Sequence, residues 1–160
     1  MEAISKYITY AKAVWSDTAI RRGIVNKPGT REMRAMKLVG EMIHTVVSDH
    51  FGFSIPFASF FRSNVLNRII GGSANSQHVK GEAIDLDADG TSITNAQLFY
   101  WILENLKFDQ LIWEYGDKQN PAWVHVSYVD PTIRANRRQV LRAIRVNGKT
   151  QYIPFVKAQQ

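Results

Sequence analysis

The chain has 160 residues, 45% of them hydrophobic and 21% charged, with a net charge of +6 and no cysteine. That length is enough for one domain with a real core, and the balance is that of an ordinary globule. The missing cysteines exclude disulfides and any thiolate metal site, so a metal would have to sit on carboxylates and the four histidines, His44, His50, His78 and His125.

The N-terminal stretch "MEAISKYITYAKAVW" carries acidic and basic residues where a signal peptide needs an apolar run, and no segment is apolar enough over enough length to span a bilayer. The expectation is a protein without signal peptide, cytoplasmic when synthesised, that does not engage a membrane. "SKYITYAKAVW" and "SDTAIRR" read as short helices capped by Ser5 and Ser16, and "RGIVNKPGT" reads as a loop. From Thr30 to about Asp49, Met33, Met36, Leu38, Val39, Met42, Ile43, Val46 and Val47 recur at helical spacing, which predicts the longest helix, with Thr30 as its cap. His44 falls on its polar flank and His50 near its C-terminus, where a cation is favoured; both read as structural histidines. "IPFASFFR" reads as a strand and "SNVLNRII" as a helix stopped by Gly71-Gly72.

The second half is richer in strands. "EAIDLD" alternates, with Ile84 and Leu86 on one side and Ala83, Asp85 and Asp87 on the other. "NAQLFYWILENL" predicts a helix, and "DQLIWEY" and "AWVHVSY" predict strands joined by the turn-forming "GDKQNP". "VLRAIRV" and "TQYIPFV" flank Asn147-Gly148, a hairpin signal. Helices first and strands later imply an α+β fold, an antiparallel sheet with N-terminal helices on one face, in a single domain spanning 1–160.

Basic residues cluster in "RANRRQVLRAIR". The positive charge reads either as a solvated basic surface or as steering towards an anionic partner, a bacterial wall polymer or nucleic acid. The cluster lacks the interleaved aromatic residues of a single-strand-binding surface, so nucleic acid is not the expected partner.

The segment "SQHVKGEAIDLDADG" admits two metals. Asp85-x-Asp87-x-Asp89-Gly90 copies the start of a calcium loop, but the bidentate Glu such a loop needs at its twelfth position is here Ala96, and the flank is a strand. The other reading is zinc on His78 and Asp85, with Gly81 allowing the chain to turn between them, and a third ligand from His125. In "AWVHVSY", Trp123, His125 and Ser127 share a face that opens to a cleft, while Val124, Val126 and Tyr128 share the core face. In "DQLIWEY", Gln110, Ile112 and Glu114 share one face. A hairpin symmetrical about Gln119-Asn120 would put Glu114 opposite His125, at about 5 Å between Cβ atoms. From there its carboxylate would reach a water to be activated.

Ser76-x-His78-x-x-Gly81-x-Ala83-x-Asp85 matches the S-x-H-x-x-G-x-A-x-D signature, and the chain resembles the zinc D-alanyl-D-alanine carboxypeptidase family, which includes D-Ala-D-Ala dipeptidases and L-alanyl-D-glutamate endopeptidases of phage lysins. "SFFRSNVLNRIIGGSANSQH", "FDQLIWEYG" and "WVHVSY" extend the likeness over nearly the whole chain. The resemblance implies a fold of the Hedgehog/DD-peptidase type, Zn2+ held by His78, Asp85 and His125, Arg62 on the substrate carboxylate or carbonyl, and Ser76 supporting substrate or the metal loop. Many members carry the catalytic acid three residues before the last His, which is Ala122 here; Glu114 is the replacement and Asp117 the fallback. The expected function is hydrolysis of peptidoglycan stem peptides by a monomer of phage or prophage origin, acting at the cell wall after phage-mediated release. The alternative is a non-catalytic wall-binding or virion module that keeps the fold.

Overall fold

The computed structural model describes residues 2–157. Strands β1 (Phe57–Ser59), β2 (Ala83–Leu86), β3 (Gln110–Glu114), β4 (Trp123–Ser127), β5 (Gln139–Val146) and β6 (Lys149–Pro154) form one sheet in the order β1-β2-β4-β3-β5-β6. Helices α1 (Tyr10–Ala13), α2 (Asp17–Arg22), α3 (Thr30–Val39), α4 (Val46–Phe51), α5 (Asn64–Ile69) and α6 (Asn95–Asn105) accompany it, so the fold is α+β. No helix among the described residues is long and apolar enough to cross a membrane.

The alternation along the central strands sorts the sheet into two faces. Ile84, Leu86, Leu111, Trp113, Val124 and Val126 are fully buried and join Met36, Val39, Ile43 and Val47 of the long helix and Leu98, Phe99 and Ile102 of α6 in one core. The residues between them, Asp85, His125, Ile112 and Glu114, therefore stand on the opposite face, where the register aligns Asp85 with His125 and His125 with Ile112. One face carries the stability and the other is free for chemistry.

The sheet is mixed rather than antiparallel, because β5 runs parallel to β3. Because β4 is antiparallel to β3, it ends beside the start of β3, and Asp109, fully buried just before β3, holds the following chain there. Its carboxylate accepts from Arg134 Nη1 at 2.6 Å, from Arg137 Nη2 at 2.7 Å and from the Arg137 amide at 3.0 Å, while the Gln139 amide donates to its carbonyl at 2.9 Å. Burial pushes Asp109 up, but the arginines outweigh it and hold it well below the usual carboxylate range. The chain leaving β4 is thus pinned at the start of β3 and can only run alongside it in the same direction. This anchor also occupies two arginines of the basic cluster, and Arg138 caps the carbonyls of Leu103 and Leu106.

Several local expectations shift. Helix α1 starts at Tyr10 with Thr9 as its cap, its Oγ1 accepting from the Lys12 amide, and Ser5 instead lies against the long helix at Gly40, where an added Cβ would sit 2.8 Å from Ser5 Cβ. Gly29, not Thr30, is the N-cap of α3, with Glu32 Oε2 accepting from its amide at 2.9 Å. The long helix widens to a π-helical stretch over Gly40–Thr45. His44, inside that stretch, shares the buried face of Gly40, Ile43 and Val47 and points into the core, with Nε2 at 2.7 Å from the Ile55 carbonyl, rather than lying on a polar flank. Only three residues of "IPFASFFR" pair as a strand, because the Phe60 carbonyl turns away to His78.

Gly81 adopts φ +72°, and a Cβ there would lie 2.5 Å from the Glu32 carbonyl oxygen and 2.9 Å from Met36 Cγ. The chain leaving His78 thus presses directly on the backbone of α3. Gly81→Ala is expected to cost about 2–4 kcal/mol from the left-handed conformation and the collision together, read as a lowered urea midpoint with unchanged slope.

Candidate metal centre and active site

The centre is built from one turn and two strands. Ser76 Oγ accepts from the His78 amide at 3.3 Å and opens a 3-10 turn over Gln77–Lys80, which Gly81 closes in the left-handed region. This turn delivers His78, 1% exposed, beside β2. Its Nδ1 lies 2.7 Å from the Phe60 carbonyl oxygen, an acceptor, so Nδ1 carries the proton and Nε2 presents a lone pair. That Nε2 is buried without a hydrogen-bond partner, although Asp85 Oδ2 is 3.2 Å away. On the next strand His125 Nδ1 lies 3.0 Å from Asp85 Oδ1. One donor atom from each of His78, Asp85 and His125 lies within 4.8 Å of the others.

The electrostatics match ligand chemistry. Burial lowers His78 against the pull of Asp85, which favours neutral imidazole. Burial pushes Asp85 up, but His78 and His125 outweigh it and hold it well below the carboxylate range. Neutral imidazole and ionised carboxylate are the forms that bind metal. Two nitrogens and an oxygen, with a buried unpartnered nitrogen among them, fit a divalent ion of the zinc class.

Glu114 is 6% exposed on the same face. The β3–β4 register sets it opposite Trp123, with Ile112 opposite His125, two residues from the expected pairing. The loop closes one residue earlier than expected: the Asp117 amide donates to the Asn120 carbonyl and the Ala122 amide to the Glu114 carbonyl. A shift of two preserves the face, so Glu114 is a diagonal neighbour of His125, at about 7–8 Å, leaving room for a water between. Burial pushes its carboxyl up to about 7, with Asp85 adding to the rise and His125 and Arg62 opposing it. Asp117, the fallback, is taken up by the turn: its Oδ1 accepts from the Gln119 and Asn120 amides at 2.8 and 2.9 Å.

Arg62 follows β1, its amide donating to the His78 carbonyl at 3.3 Å. Its Nε is buried without a partner. Burial lowers its pKa, and the charges of Asp85 and Glu114 favour the guanidinium, so it belongs electrostatically to the same site. Asn67 and Gly72 frame it: a Cβ on Gly72 would collide with Asn67 Oδ1 and lie 3.2 Å from Arg62 Nη1. Ser76 Oγ is engaged within the turn, on the His78 amide. Tyr152, on β6, also nears the site; burial, Glu114, Tyr115 and Asp85 raise its hydroxyl to about 12. Sequence reasoning misses it because no local pattern marks it: it reaches the site only through the parallel pairing of β5.

The model of the family described as Peptidase M15 matches residues 6–127. The chain belongs to that family. No curated protein matches it. M15 peptidases are metallopeptidases, which agrees with the His-Asp-His group. The M15 match takes in Arg62, Ser76, His78, Asp85, Glu114 and His125 and ends at Ser127, ahead of β5 and β6.

The raised carboxyl of Glu114 has a cost in the metal-free protein. Below pH 4.5 it is protonated folded and unfolded alike; between 4.5 and about 7 the unfolded chain ionises first, so folding weakens as pH rises. Glu114→Gln removes this term. After chelation the variant is expected to be about 2–3 kcal/mol more stable than wild type at pH 8 and equal to it at pH 4, measured by urea denaturation.

Proposed function

We propose that the protein is a zinc metallopeptidase that hydrolyses peptidoglycan stem peptides, as a D-Ala-D-Ala carboxypeptidase or an L-Ala-D-Glu-type endopeptidase, and that it derives from a phage or prophage and acts at the wall after phage-mediated release. The observation that carries this reading is the convergence of His78, Asp85 and His125 next to a buried carboxyl raised to about 7. The net charge of +6 suits approach to an anionic wall.

In this mechanism His78, Asp85 and His125 would hold zinc, which when bound would lower the pKa of a water and polarise a carbonyl. Glu114 accepts the water's proton; a carboxyl tuned near neutrality does this well, since it can also release the proton at working pH. It passes that proton to the departing amine. Arg62 aims its guanidinium at the scissile carbonyl oxygen and stabilises the charge that develops there. The buried position of Glu114 excludes bulk water from the transfer.

The test is turnover of purified wall or of a D-Ala-D-Ala peptide, followed by mass spectrometry of the fragments. Cleavage is expected to stop with a chelator and return with zinc. Glu114→Ala is expected to lower kcat about 10²–10⁴-fold while bound zinc stays at one equivalent. Arg62→Lys, which loses the planar fork, is expected to lower kcat/KM with zinc content unchanged. Wild-type protein that binds wall and zinc but never cleaves would establish the non-catalytic module instead.

A further inference from the structure

The β5–β6 hairpin lies beyond the stretch matched by the M15 model, yet it is joined to the sheet beside Glu114. The register runs Trp123, Glu114, Ala143, Tyr152 across β4, β3, β5 and β6. Residues paired in one row project from the same face, so Tyr152 and Glu114 stand on the site face with only the methyl of Ala143 between them. Two strand spacings separate their backbones, about 10 Å, which a tyrosine ring and a glutamate chain leaning together largely close. Ala143 is fully buried while Tyr152 keeps 53% of its surface open. The hydroxyl also lies within the electrostatic reach of Glu114, Asp85 and Arg62.

The hairpin is held in place from both sides. Tyr115 Oη and Thr150 Oγ1 are 2.5 Å apart, and the Tyr115 amide donates to the Ala143 carbonyl at 3.0 Å. On the core face Phe155 packs with Phe99 and Trp113 at ring separations of 4.8 and 5.6 Å. Tyr152 is therefore a fixed part of the cleft rather than the tip of a loose arm.

The site residues track the strand order. Arg62 succeeds β1, the ion-holding groups stand on and beside β2 and β4, Glu114 stands on β3, and Tyr152 on β6. If Arg62 takes the carbonyl and Glu114 protonates the amine, the leaving half of the peptide lies on the Glu114 side. We propose that the β5–β6 hairpin is the wall of the leaving-group side of the cleft, and that the Tyr152 hydroxyl hydrogen-bonds the fragment released with the new amino group. The proposal rests on the peptidase reading above. It makes Tyr152 a specificity-determining residue for the substrate portion on the C-terminal side of the scissile bond.

The experiment compares zinc-loaded wild type with Tyr152→Phe, which keeps the ring, on the stem peptide identified as substrate. Each of the two product fragments is then added separately as an inhibitor. Loss of one neutral hydrogen bond is worth about three- to tenfold in affinity. The inhibition constant of the amine-side fragment is expected to rise by that factor, and that of the acyl-side fragment to stay within twofold, with zinc content and Tm unchanged. Constants that both stay the same, or both rise alike, overturn the proposal while leaving the peptidase reading intact. Loss of zinc or a lowered Tm in Tyr152→Phe assigns the hydroxyl a structural role and also overturns it. A wild type with no zinc-dependent turnover overturns the peptidase reading, and the proposal falls with it.

Discussion

The pairing of β2 with β4 is the constraint on which the site depends. It sets Asp85 and His125 directly side by side, and the turn from Ser76 to Gly81 brings His78 over them. A largely buried carboxylate and a buried nitrogen lone pair are expensive to hold away from water. What keeps them there is the other face of the same strands. Ile84, Leu86, Val124 and Val126 are all fully buried, and a slip of one residue would send them outward and the polar set inward. The register of the donors is thus enforced by apolar packing that never touches them.

Asp109 does the corresponding work for the second half of the sheet. A buried carboxylate with two arginines and a backbone amide on it is satisfied on nearly every side. Removing either partner class would leave an uncompensated charge. By fixing Arg137 and Gln139 at the head of β3 it decides the direction of β5, and through β5 the place of β6.

The features legible in the sequence are those encoded locally. The spacing from Ser76 to Asp85 spans ten residues, and each fixed position has a local reason: a hydroxyl that caps the turn, a left-handed glycine, and a small residue where the strand is closely covered. The faces of β3 and β4 come from alternation, which is why Glu114 falls on the correct side. Its partner across the ladder is not legible, because that depends on where an eight-residue loop closes. The burial of His44 is not legible either, because the group that satisfies its Nε2 is the Ile55 carbonyl, eleven residues further along the chain. The parallel course of β5 depends on an ion pair between residues 25 and 28 positions apart, and no window of sequence reports a contact at that range.

The hairpin attaches through backbone pairing to β3 and through side chains that include the Tyr115–Thr150 hydroxyl pair, Gln139 on Gln110, Arg142 over Trp113 and the ring of Phe155, and none of the three donor atoms resides on it. If the hairpin walls the cleft as proposed, the metal ligands and the substrate contacts lie on different lengths of chain. On that reading, substitutions among residues 139–154 would change which leaving group is accepted without disturbing His78, Asp85 and His125, so a lineage carrying this architecture would be free to change its target while the reaction stays the same.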